Sequence, residues 1–470
     1  MSASKGVPDP ALVPAAVLEV LGVLRAAGKQ GFLAGGAVRD LVMIAAGKVA
    51  ARPQDFDIAT DALPEEVVRL FPRTAPTGLA HGTVTVLSAE QKIELTTFRG
   101  EGPYLDGRRP SSVTFLGDIE GDLARRDFTV NAMAWDPLNG DLRDPFGGRE
   151  DLARSTLRAV GDPLERFAED GLRPLRAVRF ACTLRLALAP STRRAITQSL
   201  GTFDKVAAER VRDELSKLLV RGSPPSRGMR LLLRTGLLAR IAPEMLEMVH
   251  FPQNRWHAYD VWRHTLRSLD QTPPQLTVLL AALLHDVAKP RCAGPGKGPG
   301  EHTFHDHERV GAELGAQILE RLRFPRREIE RVALLVREHN WHYLPEWTDA
   351  TVRRTIARIG RSELPALWEL RRADLRGRGR FVEEGLANQA QAEARFAAEL
   401  ARASALCISD LAIGGAELMQ ALNLAPGREV GRLLAALLDR VLDEPELNTP
   451  ERLLGLLPEV LAKISTGRPQ

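Results

Sequence analysis

The chain has 470 residues, too many for one hydrophobic core, and a length that points to about three domains. Its 64 Lys and Arg against 60 Asp and Glu leave a net charge of +4 and a pI of about 9.1, a balance that permits a nucleic-acid partner without demanding one. Three scattered cysteines, Cys182, Cys292 and Cys407, form no spaced pair, which argues against a disulfide framework or a thiolate zinc centre and fits a reducing cytoplasm.

The first predicted element, within residues 1–27, is an amphipathic helix. Its apolar stretch from Ala15 to Ala27 is interrupted by Glu19 and Arg25 and lacks a basic leader, so a soluble protein without a membrane partner is expected. From Gly31 to Asp144 the text is strand-like, with a hairpin predicted between Val84-Thr85-Val86 and Ile93 to Phe98. At its start stands Gly35-Gly36-Ala37-Val38-Arg39-Asp40. Two glycines let the backbone approach a triphosphate and leave amide N–H groups free to receive it, with Arg39 as a charge clamp.

Asp55-Phe56-Asp57 follows. On an extended strand Asp55 and Asp57 project from one face, about 6–7 Å apart, while Phe56 and Ile58 turn to the core. Such a pair can bracket two hard cations about 3.5–4 Å apart, as in-line phosphoryl displacement requires. Alone, Asp-x-Asp is more often a surface pair beside a turn; what comes after it decides. Glu94 alternates with Ile93 and Leu95 in the next strand, which puts it on the same solvated side as a third carboxylate. Arg125-Arg126-Asp127-Phe128-Thr129-Val130-Asn131 then supplies two guanidiniums, an acid and an amide before a predicted helical stretch, a set suited to phosphate and ribose.

Beyond about Leu157 the strand signals fade into Leu-, Ala- and Arg-rich helical text. Glu169-Asp170-Gly171-Leu172-Arg173 opens it. If that segment is helical, Asp170 and Arg173 share a face, which Arg176 extends. An ionised Asp only accepts hydrogen bonds and an Arg only donates them, so the pair suits the amine donor and ring-nitrogen acceptor of cytosine and adenine and rejects guanine and uracil. Pro174 works against this, because it favours a helix that starts only there.

These elements, in this order, resemble the class II tRNA nucleotidyltransferase and bacterial poly(A) polymerase family. The matching text is residues 35–40, 55–60, the turn 78–83, the flexible loop 99–110, residues 125–133 and 169–180. The resemblance implies an α+β architecture: a polymerase-β-like nucleotidyltransferase head with a small mixed sheet over 28–156 and an all-α neck carrying the base-selecting motif over 157–225. A helical connector over 226–260, an HD domain over 261–378 and a C-terminal helical body over 379–470 would follow. The resemblance further implies that Asp55, Asp57 and Glu94 are catalytic, the Asp pair holding Mg2+. Gly35, Gly36, Arg39, Arg125, Arg126, Asp127, Asn131, Asp170, Arg173, Arg176 and Arg179 would bind the nucleotide. CTP, ATP and tRNA are the expected substrates, with addition of C, C and A to the tRNA 3′ end as the expected reaction. Poly(A) synthesis, or addition of CC or A only, is the alternative within the class.

Nine of the ten histidines lie between His250 and His342. The ordered set His264, His285-Asp286, His307, His339 and Asp374 resembles an HD-type phosphohydrolase domain, whose imidazoles and carboxylates suit Ni2+, Mn2+, Co2+ or Mg2+. Lys289, one turn beyond His285, could meet a phosphate. The resemblance implies phosphatase, 2′-nucleotidase or 2′,3′-cyclic phosphodiesterase activity. A phosphohydrolase whose head only binds nucleotide or RNA is the reading from another class; intact head carboxylates argue against it. Arg371, Arg372, Arg376, Arg378 and Arg380 flank Asp374 and offer contacts to RNA phosphate. Residues 408–411 and 425–431 resemble the family's C-terminal body.

Overall fold

The computed structural model describes residues 7–48, 52–78, 82–88, 91–101, 113–296, 301–402 and 405–466. Much of the expected turn 78–83 and of the loop 99–110 lies outside these residues, as does part of the Gly- and Pro-rich segment 293–300. The chain forms two compact units, Met1–Pro243 and Glu244–Gln470. The connector expected over 226–260 is divided between them. Among the described residues no helix is long and apolar enough to cross a membrane.

The first unit is built on strands β1 (Gly31–Ala34), β2 (Asp57–Thr60), β3 (Thr74–Gly78), β4 (Thr83–Ser88) and β5 (Gln91–Thr97), then the ribbon β6 (Arg99–Glu101) with β7 (Val113–Phe115), and finally β8 (Ala134–Asp136) and β9 (Asp141–Arg143). The seven-stranded sheet runs β3-β4-β5-β2-β1-β8-β9. It is mixed because β2 lies parallel to β5, while β4 and β5 form the expected antiparallel hairpin. Asp57 is the register partner of Glu94. Phe32, Ala59, Phe98, Ile119 and Leu123 form a core against this sheet.

Helices α1 (Ala15–Ala26), α2 (Gly36–Ala45), α3 (Pro64–Leu70), α4 (Ile119–Ala124) and α5 (Gly148–Ala153) accompany the sheet. In α1, Val17, Val20, Leu21 and Leu24 recur at helical spacing and are all buried, each worth about 1.5–3 kcal/mol relative to exposure. Arg25 ties that helix to Asp136 at 2.6 Å. A helical layer follows in α6 (Pro163–Glu169), α7 (Arg173–Thr183), α8 (Pro190–Gln198), α9 (Leu200–Phe203), α10 (Ala208–Arg221), α11 (Pro225–Thr235) and α12 (Leu237–Ile241).

Two sequence expectations are corrected here. In place of the helical stretch expected after the Arg125 to Met133 cluster, residues 129–131 make one 3-10 turn and strand β8 follows. Two short strand pairs also occur in the helical part, Thr156–Leu157 with Ala187–Leu188 and Ala293–Pro295 with His302–Phe304.

The second unit is helical: α13 (Val261–Asp270), α14 (Leu276–Leu284), α15 (His307–Arg321), α16 (Arg326–Glu338), α17 (Asp349–Ile359), α18 (Leu364–Arg378), α19 (Val382–Arg402), α20 (Gly415–Leu422), α21 (Arg428–Asp443), α22 (Pro450–Gly455) and α23 (Leu457–Thr466). Asp260 caps α13 by accepting from the Arg263 amide at 2.7 Å. Helix α14 is buried along nearly its whole length and packs against α13, α16 and α18, as a helix apolar on all sides must. Leu418, Leu433, Leu437, Val441 and Leu453 close a separate core in the C-terminal helices.

Candidate active sites

In the first unit β1 runs into Gly35, whose φ of 78° redirects the chain into α2. A Cβ at Gly35 would lie 2.6 Å from Arg126 Nη1, so the glycine allows this guanidinium to sit over the turn. The Gly35 N–H donates to the Met133 carbonyl at 3.2 Å and is not free for a phosphate. The donors left for an anion are those of the first turn of α2. Gly35→Ala is expected to cost about 1–3 kcal/mol of stability, the usual price of a strained backbone, and to slow the nucleotidyl transfer expected from the sequence roughly tenfold. Thermal unfolding and initial rates check this; wild-type values for both would remove the need for glycine.

Asp55 and Asp57 are exposed and Phe56 and Ile58 buried, although β2 begins only at Asp57. Asp57 and the exposed Glu94 stand on adjacent strands. The Asp57 carboxyl is raised above its ordinary pKa, first by loss of hydration around the group even though the residue as a whole reaches solvent, then by Glu94 and Asp55, with Arg126 opposing. Glu94 and Asp55 both disfavour the ionised form of Asp57, a repulsion that a divalent ion held by Asp57 would relieve.

The other expected nucleotide residues form one polar ladder. Buried Asp122 pairs with Arg125 at 2.7 Å and Arg126 at 3.2 Å. Arg39 donates to Asn131 Oδ1 at 2.7 Å and to Asp40 at 2.8 Å, with its guanidinium 5.4 Å from the Phe180 ring. This corrects the expectation of a free charge clamp. Asn131 donates to Asp127 at 3.1 Å, and the other oxygen of Asp127 accepts from Arg176 Nε at 2.9 Å and Nη2 at 2.7 Å. Arg176 lies 3.7 Å from Glu214, which also pairs with Arg179; Arg179 stacks 3.8 Å from Phe180.

Asp170 and Arg173 do not share a helical face. Asp170 ends α6 in extended conformation and Arg173 opens α7, because Pro174 cannot donate the helical bond back to Asp170. Asp170 is held by Arg210 at 2.8 and 3.0 Å. Arg173 pairs with Glu169 and donates to the carbonyls of Arg166 at 2.9 Å and Arg125 at 3.1 Å. Asp122, Arg210 and Glu214 were not expected from sequence. Glu214 carries a signal all the same: it occupies a buried position between Val211 and Leu218 on α10, where an acid needs a cationic partner.

The six expected residues of the second unit converge. His264 Nε2 lies 3.0 Å from Asp374, 3.1 Å from His285 Nε2 and 3.4 Å from Asp286; His285 Nε2 lies 3.2 Å from Asp286. His307 and His339 Nε2 approach the other Asp286 oxygen at 3.6 and 3.9 Å. The sequence folds this way because each ligand sits at a helix end or on an inner face: His264 within α13, His285 just after α14, His307 opening α15, His339 after α16 and Asp374 within α18. His285, His307 and His339 donate Nδ1–H to the carbonyls of Ala282, Phe304 and Val336 at 2.7–2.8 Å, which leaves the Nε2 lone pairs aimed inward. Among the described residues neither buried oxygen of Asp286 accepts a well-directed hydrogen bond, although Lys289 Nζ lies 2.8 Å away.

The electrostatics agree. Burial pushes His339 well below its ordinary pKa, reinforced by His285 and His307. Burial acts to raise Asp374, but Arg378 and His264 outweigh it and hold the carboxyl well below the usual range. Ionised carboxylates and neutral imidazoles are the protonation states that bind a divalent metal; burial favours the neutral ring at His264, His307 and His339, whereas at His285 burial is outweighed by Asp286 and the pKa is raised. The chain groups these residues as His264, His285, Asp286 and as Asp286, His307, His339.

His257, unexpected from sequence, forms a third group with His264 and Asp374; burial, then Lys289 and His264, push its pKa down to about 2. Lys289 donates to Gln253 at 2.8 Å. Arg371 is corrected as an RNA contact: it is buried, bonded to Gln389 and to the carbonyls of His339 and Trp341, and burial brings its pKa to about 10. Arg376 and Arg380 are exposed.

Three family profiles match in chain order: Poly A polymerase head domain over residues 31–158, Probable RNA and SrmB-binding site of polymerase A over 185–248, and HD domain over 256–375. The CCA-adding enzyme of Geobacillus stearothermophilus is 47% identical over 226 residues, 47% of this chain. The chain spans about half the length of this relative, 54%. The CCA-adding enzyme of Bacillus subtilis (strain 168) is 38% identical over 307 residues, covering 65% of this chain and 74% of the relative. A crystal structure of the Bacillus stearothermophilus CCA-adding enzyme in complex with CTP superposes with a TM-score of 0.66 at 28% identity, over 96% of this chain and 98% of that one. With its head, its HD domain and this extent of likeness, the chain belongs to the CCA-adding enzyme family.

Proposed function

We propose that this chain adds C, C and A to the 3′ end of tRNA from CTP and ATP, and that its second unit is a metal-dependent phosphohydrolase. The observation that carries the first part is the placement of Asp57 beside Glu94, with Asp55 and Arg126 close enough to act on its charge. Relatives named CCA-adding enzymes, one of them solved with CTP, support it. Asp55 and Asp57 would hold Mg2+, which when bound supplies Lewis-acid activation of the attacking hydroxyl and charge neutralisation at the leaving pyrophosphate. The chain's own part is positional. Arg126 and the first turn of α2 receive phosphate oxygens over the Gly35 turn, and the Asp127–Arg176 pair fixes the start of α7 against the head.

Asp170 and Arg173 remain the proposed base-reading residues, with Arg210 and Glu169 as the groups that hold them ready. In the second unit His264, His285, Asp286 and Asp374 would hold one transition-metal ion or Mg2+, with His307 and His339 completing a second position. Lys289 and Arg378 line the cavity beside this cluster and would bind the phosphate. The test is incubation of purified protein with tRNA transcripts ending at the discriminator base, at C or at CC, with each NTP alone. CTP should extend the first two, and ATP only the transcript ending in CC. Repeated ATP addition to any RNA would convert the reading to a poly(A) polymerase, and failure with every NTP would refute nucleotidyl transfer.

A further inference from the structure

Beside the His and Asp cluster of the second unit lies a cavity of about 720 Å3, within the roughly 300–1,000 Å3 typical of small-ligand sites. His339, Asp374, Arg378 and Trp256 line it, and the same residues also line the neighbouring cavity that contains Asp286 and Lys289. Its lining further includes Phe381 and the exposed Gln391. Trp256 is 48% exposed and Phe381 53% exposed. Their ring centroids are 5.2 Å apart in an edge-on arrangement.

Burial does not explain these two aromatics, yet the chain holds them in place. The Ala258 N–H donates to the Arg378 carbonyl at 2.9 Å, and Arg380 Nη1 donates to the Arg255 carbonyl at 3.2 Å. Gly379 has a φ of 72°, and a Cβ there would meet Tyr259 Cε2 at 2.6 Å, so the turn after α18 closes onto the loop before α13 only with glycine. Phe381 itself has a φ of 53°, a conformation a bulky residue keeps only when its surroundings enforce it. Two surface aromatics are thus fixed at the rim of a cavity that reaches buried metal-type ligands and Arg378, next to the cavity that holds Lys289.

We propose that Trp256 and Phe381 form a stacking platform for the base of a nucleotide whose phosphate lies at the His and Asp cluster. The unit should then act on phosphate esters that carry a nucleobase in preference to base-free ones. The inference rests on the phosphohydrolase reading above and deepens it. Stacking suits the task because every base has a π-face, and Arg255, 5.1 Å from the Trp256 ring, adds positive charge beside it. For a cyclic phosphate, water forms the new P–O bond, one ring P–O bond breaks, and the released ribose oxygen takes the proton.

The experiment compares adenosine 2′,3′-cyclic phosphate with glycerol 1,2-cyclic phosphate in the full chain and its Trp256→Ala, Phe381→Ala and Trp256→Phe variants. Losing the platform should raise KM for the nucleotide about tenfold and lower the nucleotide-to-glycerol ratio of kcat/KM by a similar factor. Trp256→Phe should restore most of it. An unaltered ratio in both alanine variants overturns the proposal. A second readout does not need turnover: adenosine 2′-monophosphate should quench tryptophan fluorescence in the wild type and not in Trp256→Phe. No quenching in the wild type, or equal quenching in both, also overturns the platform. Quenching confined to the wild type, with no ester hydrolysed under any metal, leaves the platform standing and defeats the phosphohydrolase reading.

Discussion

Asp57→Ala should reduce CTP incorporation into a tRNA transcript ending at its discriminator base by about a thousandfold or more, with little change in thermal stability. The kinetic part follows from the several kcal/mol that a metal supplies to phosphoryl transfer, at about 1.4 kcal/mol per tenfold in rate. The stability part follows from exposure: Asp57 reaches solvent while Phe56, Ile58 and Ala59 hold the strand in the core. Removing a carboxylate that Glu94 and Asp55 repel should if anything relax the fold. Asp55→Ala should behave alike, although it sits just ahead of the strand. Single-turnover incorporation in Mg2+ beside a thermal melt settles the matter, and full incorporation by both variants would take the metal away from this pair.

The second large effect separates the two chemistries. Combining His285→Ala with Asp286→Ala should abolish metal-dependent opening of a 2′,3′-cyclic phosphate, a loss of about a thousandfold or more for the same reason, while CCA addition persists. Both residues are fully buried, and removing Asp286 leaves Lys289 without its nearest carboxylate, a change that can cost about 3–5 kcal/mol. The near-isosteric Asp286→Asn therefore accompanies it, and retained CCA addition with a cooperative melt reports on folding. The assay runs with Ni2+, Mn2+, Co2+ and Mg2+ in turn. Persistent cyclic-phosphate opening in the folded variants would place the activity elsewhere, and a wild type inert with every metal would leave this cluster a structural role.

What the sequence made legible was position along periodic elements. Alternation in Ile93-Glu94-Leu95 placed Glu94 on the face it occupies, and the hairpin followed from the same rule. The His and Asp set was readable because histidines crowd between His250 and His342 and because the order of the set resembles an HD-type domain; its placement at helix ends and on inner helix faces came from the structure. Partnership was not legible. Arg39 and Arg371 look in sequence like the exposed arginines around them, but the fold buries both and spends their donors on Asn131, Gln389 and main-chain carbonyls. Asp170 and Arg173 are a plausible helical pair by spacing alone. One proline moves the helix start, and each then finds another partner.

The ring orientations of His285, His307 and His339 have a consequence for how this protein tolerates mutation. Each is set by the carbonyl three residues upstream, a main-chain group that every amino acid provides. Substitutions at Ala282, Phe304 or Val336 that keep the local backbone and its packing leave that acceptor in place, so random variation in this layer cannot delete it as it could delete a supporting Asp or Glu. Tolerance is therefore uneven: a scan across the domain should find sharp losses at the ligands themselves and a shallow, volume-dependent response at the residues that orient them.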